Sequence, residues 1–102
     1  MEFFRTIEKR LGNLISADTS LTSANELPLA NYLKDELISG NIKAKVFESG
    51  KNRGSVYAQI DGRRPEKVLI HTHLDTEKEM QGSPYELVRK GNLFFGRGAL
   101  DC

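Results

Sequence analysis

The hydrophobic pattern of this chain changes period near its middle. Phe3, Phe4, Ile7, Leu11, Leu14 and Ile15 recur at helical spacing, with Glu2, Arg5, Glu8, Lys9 and Arg10 between them. This predicts an amphipathic helix over about residues 2–16. A polar loop over 16–23 follows. Leu29, Ala30, Leu33, Leu37 and Ile38 form the buried stripe of a second helix. Ser23 and Glu26 have capping-box spacing, but that start would place Pro28 past the first turn. With Asn25 as cap, Pro28 falls in the first turn, where its missing N–H costs nothing. The second start is preferred. Ser39-Gly40-Asn41 provides a stop with a C-cap glycine.

From Lys43 the period becomes two. Ala44 and Val46 alternate with Lys43 and Lys45, predicting a half-exposed strand over 43–48, a turn over 49–54 and a strand over 55–60. Asp61-Gly62 carries a hairpin signature. Residues 67–73 contain Val68-Leu69-Ile70, a continuous apolar run of the kind found in a strand buried on both faces. Segments 85–89 and 92–95 flank a hairpin-like turn at Lys90-Gly91-Asn92. Two helices followed by several strands indicate an α/β architecture with a mixed sheet.

Composition narrows the function classes. With 102 residues there is room for one domain at most. Apolar content of 38%, charged content of 28% and a net charge of +1 are those of an ordinary globular chain. Lys and Arg are spread evenly, without the basic footprint of a nucleic-acid binder. No apolar run reaches membrane-spanning length, and the charged N-terminus is not a signal peptide. The single cysteine, Cys102, cannot form an internal disulfide. The default expectation is therefore the cytoplasm.

Two polar clusters carry the candidate chemistry. The first is His71-Thr72-His73-Leu74-Asp75-Thr76. On a persisting strand, side chains two apart share a face, which would put His73 and Asp75 together. A neutral imidazole suits zinc, and a carboxylate beside it can orient the ring. The same pair could equally be a hydrogen-bonded strand end. His71 shares that face and could be another ligand, but it lies deeper in the strand and is expected to be a packed or hydrogen-bonded residue. The second cluster is Gly96-Arg97-Gly98-Ala99-Leu100-Asp101, in which two glycines permit a sharp turn that delivers Asp101. A carboxylate can bridge two metal ions about 3.5–4 Å apart. It can also simply cap a helix. A dinucleotide fingerprint is disfavoured, because Asp101 stands at the third glycine position and would repel a pyrophosphate. Gly50-Lys51 lacks the spacing of a P-loop, and Asp75-Thr76-Glu77 lacks the glycine of an aspartic-protease loop.

In order, the buried run, His-Leu-Asp-Thr, Ser83-Pro84-Tyr85, Lys90 to Phe95 and Gly-Arg-Gly-Ala-Leu-Asp resemble a zinc exopeptidase and deacylase family. It includes aminoacylase, acetylornithine deacetylase, succinyl-diaminopimelate desuccinylase and glutamate carboxypeptidase. Thr19 to Glu26 also resembles that family's N-terminal segment. The resemblance implies that His73 is a ligand of one zinc and that Asp101 bridges two. Asp75 would be the supporting catalytic neighbour, and Gly96, Arg97 and Gly98 the turn that positions the bridge. It implies an incomplete three-layer catalytic domain with two zinc ions (cobalt or manganese would also suit the ligands). The substrate would be a small peptide or N-acyl amino acid, and the complete enzyme a homodimer. Two departures bear on substrate class: His71 stands where a small residue is usual, and the 77–82 loop is short and has no tryptophan. The general-base glutamate, further ligands and lid domain implied by the resemblance are not among these 102 residues, so the chain alone is expected to be inactive. The alternative is a non-catalytic interaction module with an exposed sheet edge.

Overall fold

The computed structural model describes residues 1–77 and 85–100. The chain forms two compact units, one of residues 1–24 and 75–102, the other Asn25–Leu74. The α/β class holds. The expected mixed sheet is present as two separate antiparallel pairs and one isolated parallel bridge.

The unit Asn25–Leu74 consists of helix α2 (Leu27–Ser39) packed on a hairpin of β1 (Lys43–Gly50) and β2 (Arg53–Gln59). The helix begins two residues after the expected cap: Glu26 is the N-cap, and Pro28 lies in the first turn, as the preferred start required. The cap is Glu26 rather than Ser23 or Asn25, and its side chain makes no cap bond. The helix start is held from the hairpin instead. The Leu27 N–H donates to the Asn52 carbonyl at 3.0 Å. The Arg53 Nε and Nη2 donate to the two Glu26 carboxylate oxygens at 3.0 and 2.8 Å. A bidentate fork of this kind is a strong and directional contact. Leu27 also sits over Gly54, where a Cβ would lie 2.8 Å from Leu27 Cδ1 and 3.1 Å from the Phe47 carbonyl. Only glycine lets helix and hairpin approach so closely.

The helix ends in a Schellman motif. The Asn41 N–H reaches the Ile38 carbonyl at 3.0 Å and the Ile42 N–H the Leu37 carbonyl at 2.9 Å. The left-handed residue is Asn41, with φ 61°, rather than Gly40 at φ −88°. Asparagine is the non-glycine residue best suited to that region. The period-two reading of the hairpin is realised: Ala44, Val46, Gly54 and Val56 are half-buried while their neighbours are exposed. Val46 pairs with Val56 and Ala44 with Ala58. The strands extend further into the expected 49–54 turn, leaving Lys51-Asn52 at the bend, with Asn52 at φ 59°.

Two expectations fail beyond β2. Asp61-Gly62 does not turn into a hairpin, and residues 67–73 form no strand. Val68, Leu69 and Ile70 are 91, 81 and 90% exposed. A run that is apolar on both faces needs a neighbour on each side and cover above and below, and no described segment supplies them.

In the other unit, helix α1 (Glu2–Ser16) has the expected bounds. Only the end of its apolar stripe is covered: Ile15 is buried, whereas Phe3, Phe4 and Ile7 are exposed. β3 (Val88–Lys90) and β4 (Leu93–Phe95) pair across the expected turn, with Gly91 at φ 62°. The two glycines of Gly96-Arg97-Gly98 serve different ends. A Cβ on Gly96 would lie 2.8 Å from Ile15 Cδ1 and 3.4 Å from the Glu86 carbonyl, so close packing requires its absence. Gly98 has φ 81°, and the Ala99 N–H closes the turn onto the Gly96 carbonyl at 3.1 Å. Positive φ at the third position of such a turn favours glycine.

Candidate functional site

The sequence-derived site consists of His73, Asp75 and Asp101. His73 is exposed and lies in irregular chain at the end of the unit Asn25–Leu74. Asp75 is half-buried and opens the return to the other unit. The expected shared strand face is absent, because the pairing nearby among the described residues is a single parallel bridge between Ser20 and Thr76. His71 is exposed, which overturns its reading as a packed residue. Asp101 lies outside the described residues. Among the described residues, no group of three or more His, Cys, Asp or Glu side chains could hold a metal ion. One imidazole and one carboxylate are donors that suit zinc, but they fall short of the three protein ligands of a catalytic site.

The structure instead assembles a polar cluster that links both clusters of the sequence to the loop after α1. The Thr76 N–H donates to the Thr19 carbonyl and the Leu21 N–H to the Thr76 carbonyl, each at 2.9 Å. These bonds fasten the end of His-x-Asp-Thr to residues 19–21. Thr19 and Ser20 are fully buried. Beside them, Asp18 gathers donors. The Ser20 N–H and hydroxyl reach Asp18 Oδ1 at 3.1 and 2.8 Å, and the Ser23 hydroxyl donates to Oδ2. Tyr85 contributes a further side-chain hydrogen bond. Together these donors, Ser23 first and Ser20 next, hold the Asp18 carboxyl well below the usual carboxylate range against the opposing effect of burial.

Tyr85 joins this network to the Gly-Arg-Gly turn. Arg97 Nη1 donates to Tyr85 Oη at 3.1 Å, and the guanidinium carbon stands 5.0 Å from the Tyr85 ring centroid. Arg97 is only 8% exposed. Its Nε and Nη2, and the Thr76 hydroxyl, are buried and have no hydrogen-bond partner among the described residues. The sequence points to Arg97 only as part of a turn and to Tyr85 only within Ser83-Pro84-Tyr85, and gives Asp18 no role. Asp18 followed by Ser20 and Ser23 is a legible local turn pattern. The link to residues 85 and 97 is tertiary and leaves no local signal.

The chain resembles one curated protein, the Peptidase M20 domain-containing protein C757.05c of Schizosaccharomyces pombe (strain 972 / ATCC 24843). Identity is 31% over 98 residues, covering 88% of this chain and 24% of that protein. The chain therefore spans about a quarter of the length of the relative it matches. No protein-family model matches it. No solved structure matches it. Among the described residues, no helix is long and apolar enough to cross a membrane.

Proposed function

We propose that this chain is the opening part of the catalytic domain of a metal-dependent hydrolase that cleaves amide bonds in small peptides or N-acyl amino acids. The similarity of 88% of the chain to a Peptidase M20 domain-containing protein supports this reading. The order of His-Leu-Asp-Thr and Gly-Arg-Gly-Ala-Leu-Asp supports it. In this reading His73 and Asp101 would hold the zinc ions, and Asp75 would orient the imidazole. Bound there, zinc would supply Lewis-acid polarisation and an activated water. The chain's own part is positional. Gly96 and Gly98 shape the turn ahead of Asp101. The Thr19–Thr76 and Leu21–Thr76 bonds hold the chain just after Asp75. The remaining ligands, the general base and a dimerising lid would come from downstream sequence, and the cytoplasm is the proposed compartment.

The test joins this chain to the remainder of the fission-yeast relative, in place of the segment that it matches. The joined protein should bind zinc and hydrolyse an N-acyl amino acid or dipeptide, whereas the chain alone with zinc should turn over neither. H73A and D101A should each lower the zinc content. Full zinc occupancy in both variants would remove the ligand assignment.

A second reading is favoured by the exposed Val68-Leu69-Ile70 run. Here the chain is a non-catalytic module that pairs with a partner along an open strand. Concentration-dependent association in sedimentation, with no gain of activity in the joined protein, would select it.

A further inference from the structure

Two arginines of this chain present the same guanidinium edge in different states. In Arg53, Nε and Nη2 both donate to the Glu26 carboxylate, at 3.0 and 2.8 Å. In Arg97 those two nitrogens have no partner among the described residues, and both are buried. The opposite side of Arg97 is already anchored, through Nη1 on Tyr85 Oη and the guanidinium over the Tyr85 ring. The free edge is therefore held in a fixed orientation. A guanidinium stays charged at any pH a protein experiences. Burying it with two unmet donors is costly unless an anion completes it.

Asp18 does not complete it. Its carboxylate has about four acceptor positions. It already receives the Ser20 N–H, the Ser20 and Ser23 hydroxyls and Tyr85. Tyr85 also stands between it and Arg97. The acceptor that fits the edge is planar, carries two oxygens and bears a single charge.

We propose that the Nε and Nη2 edge of Arg97 is a docking fork for a carboxylate, with Tyr85 as the residue that aims it. The carboxylate is that of a small organic acid or that of an acidic side chain of the protein, and the two sources separate on testing. Thermal unfolding of the full chain is followed for wild type, R97M and R97K, with acetate or with neutral acetamide at constant ionic strength.

A small-acid site predicts that saturating acetate raises the wild-type melting temperature by about 4–8 °C. Acetamide should then have no effect, and neither variant should respond. A side-chain source predicts that R97M lowers the melting temperature by about 10 °C or more without any additive, because the carboxylate loses its partner. R97K keeps the charge but cannot form the two-pronged contact, so it should fall between wild type and R97M in that case and serves where R97M does not fold. If R97M melts at or above wild type and acetate leaves wild type unchanged, Arg97 is an unpartnered buried cation and the proposal is overturned.

Discussion

The β1–β2 hairpin and the Val68-Leu69-Ile70 run lie in the same unit, and both read as strands in the sequence. Only the hairpin is one. Its alternation asks for cover on one face and a partner joined by a short turn, and the neighbouring chain provides both: α2 supplies the cover and Lys51-Asn52 the turn. The apolar run asks for partners on both edges and cover on both faces. Its residues are 81–91% exposed instead. Period-two segments can be completed locally, whereas a continuous apolar run is a demand on distant sequence. This chain spans 24% of the length of the relative that it matches.

Substitutions can break or sharpen this contrast. The largest effect is expected at Leu29, a buried residue of α2. L29A should destabilise the fold by about 2–5 kcal/mol in urea unfolding. G54A comes next. Its new methyl meets Leu27 Cδ1 at 2.8 Å and the Phe47 carbonyl at 3.1 Å, and the expected loss is about 1–3 kcal/mol. If G54A unfolds like wild type, α2 does not complete the hairpin; if L29A does, Leu29 is not part of the core.

The third prediction concerns the other unit, where the described contacts around residues 18–23 are polar. D18N should lose about 1–2 kcal/mol near neutral pH, since the charged acceptor of four donors is removed. The folded-state pKa of Asp18 lies below its unfolded value of about 3.9. Its contribution is therefore fully present above that unfolded value and is lost as pH falls toward the folded one. Stability should drop in acid more steeply for wild type than for D18N, and equal acid slopes would remove Asp18 from the account. The smallest effect on stability is expected at Leu69, 81% exposed. L69D should change the urea midpoint by less than about 0.5 kcal/mol and reduce concentration-dependent association. A large loss of stability would mean that the run is packed after all.

Much of the fold was legible, for reasons visible at particular residues. The α1 stripe runs to Ile15 without interruption, and its expected bounds match. Pro28 narrowed the start of α2, but the contact that holds it, Glu26 with Arg53, joins residues 27 apart and has no local signature. At the helix end Asn41 took the left-handed position expected of its glycine neighbour. Asp61-Gly62 is a sound turn signal, yet a hairpin needs a second strand, and none forms there. The candidate site was legible as types of residue rather than as geometry. His73 and Asp75 were placed together by assuming a strand that the described chain does not form. The Asp18–Tyr85–Arg97 network depends on contacts between distant segments and was therefore out of reach.

The most direct test is native-state hydrogen exchange of residues 68–70, in this chain alone and in the chain joined to the remainder of the relative in place of the segment that it matches. If the run is a strand awaiting partners, its amides exchange freely in the isolated chain, while those of the β1–β2 ladder are protected. In the joined protein the run then becomes as protected as the ladder. Protection of the run in the isolated chain, or free exchange in both proteins, would contradict that account.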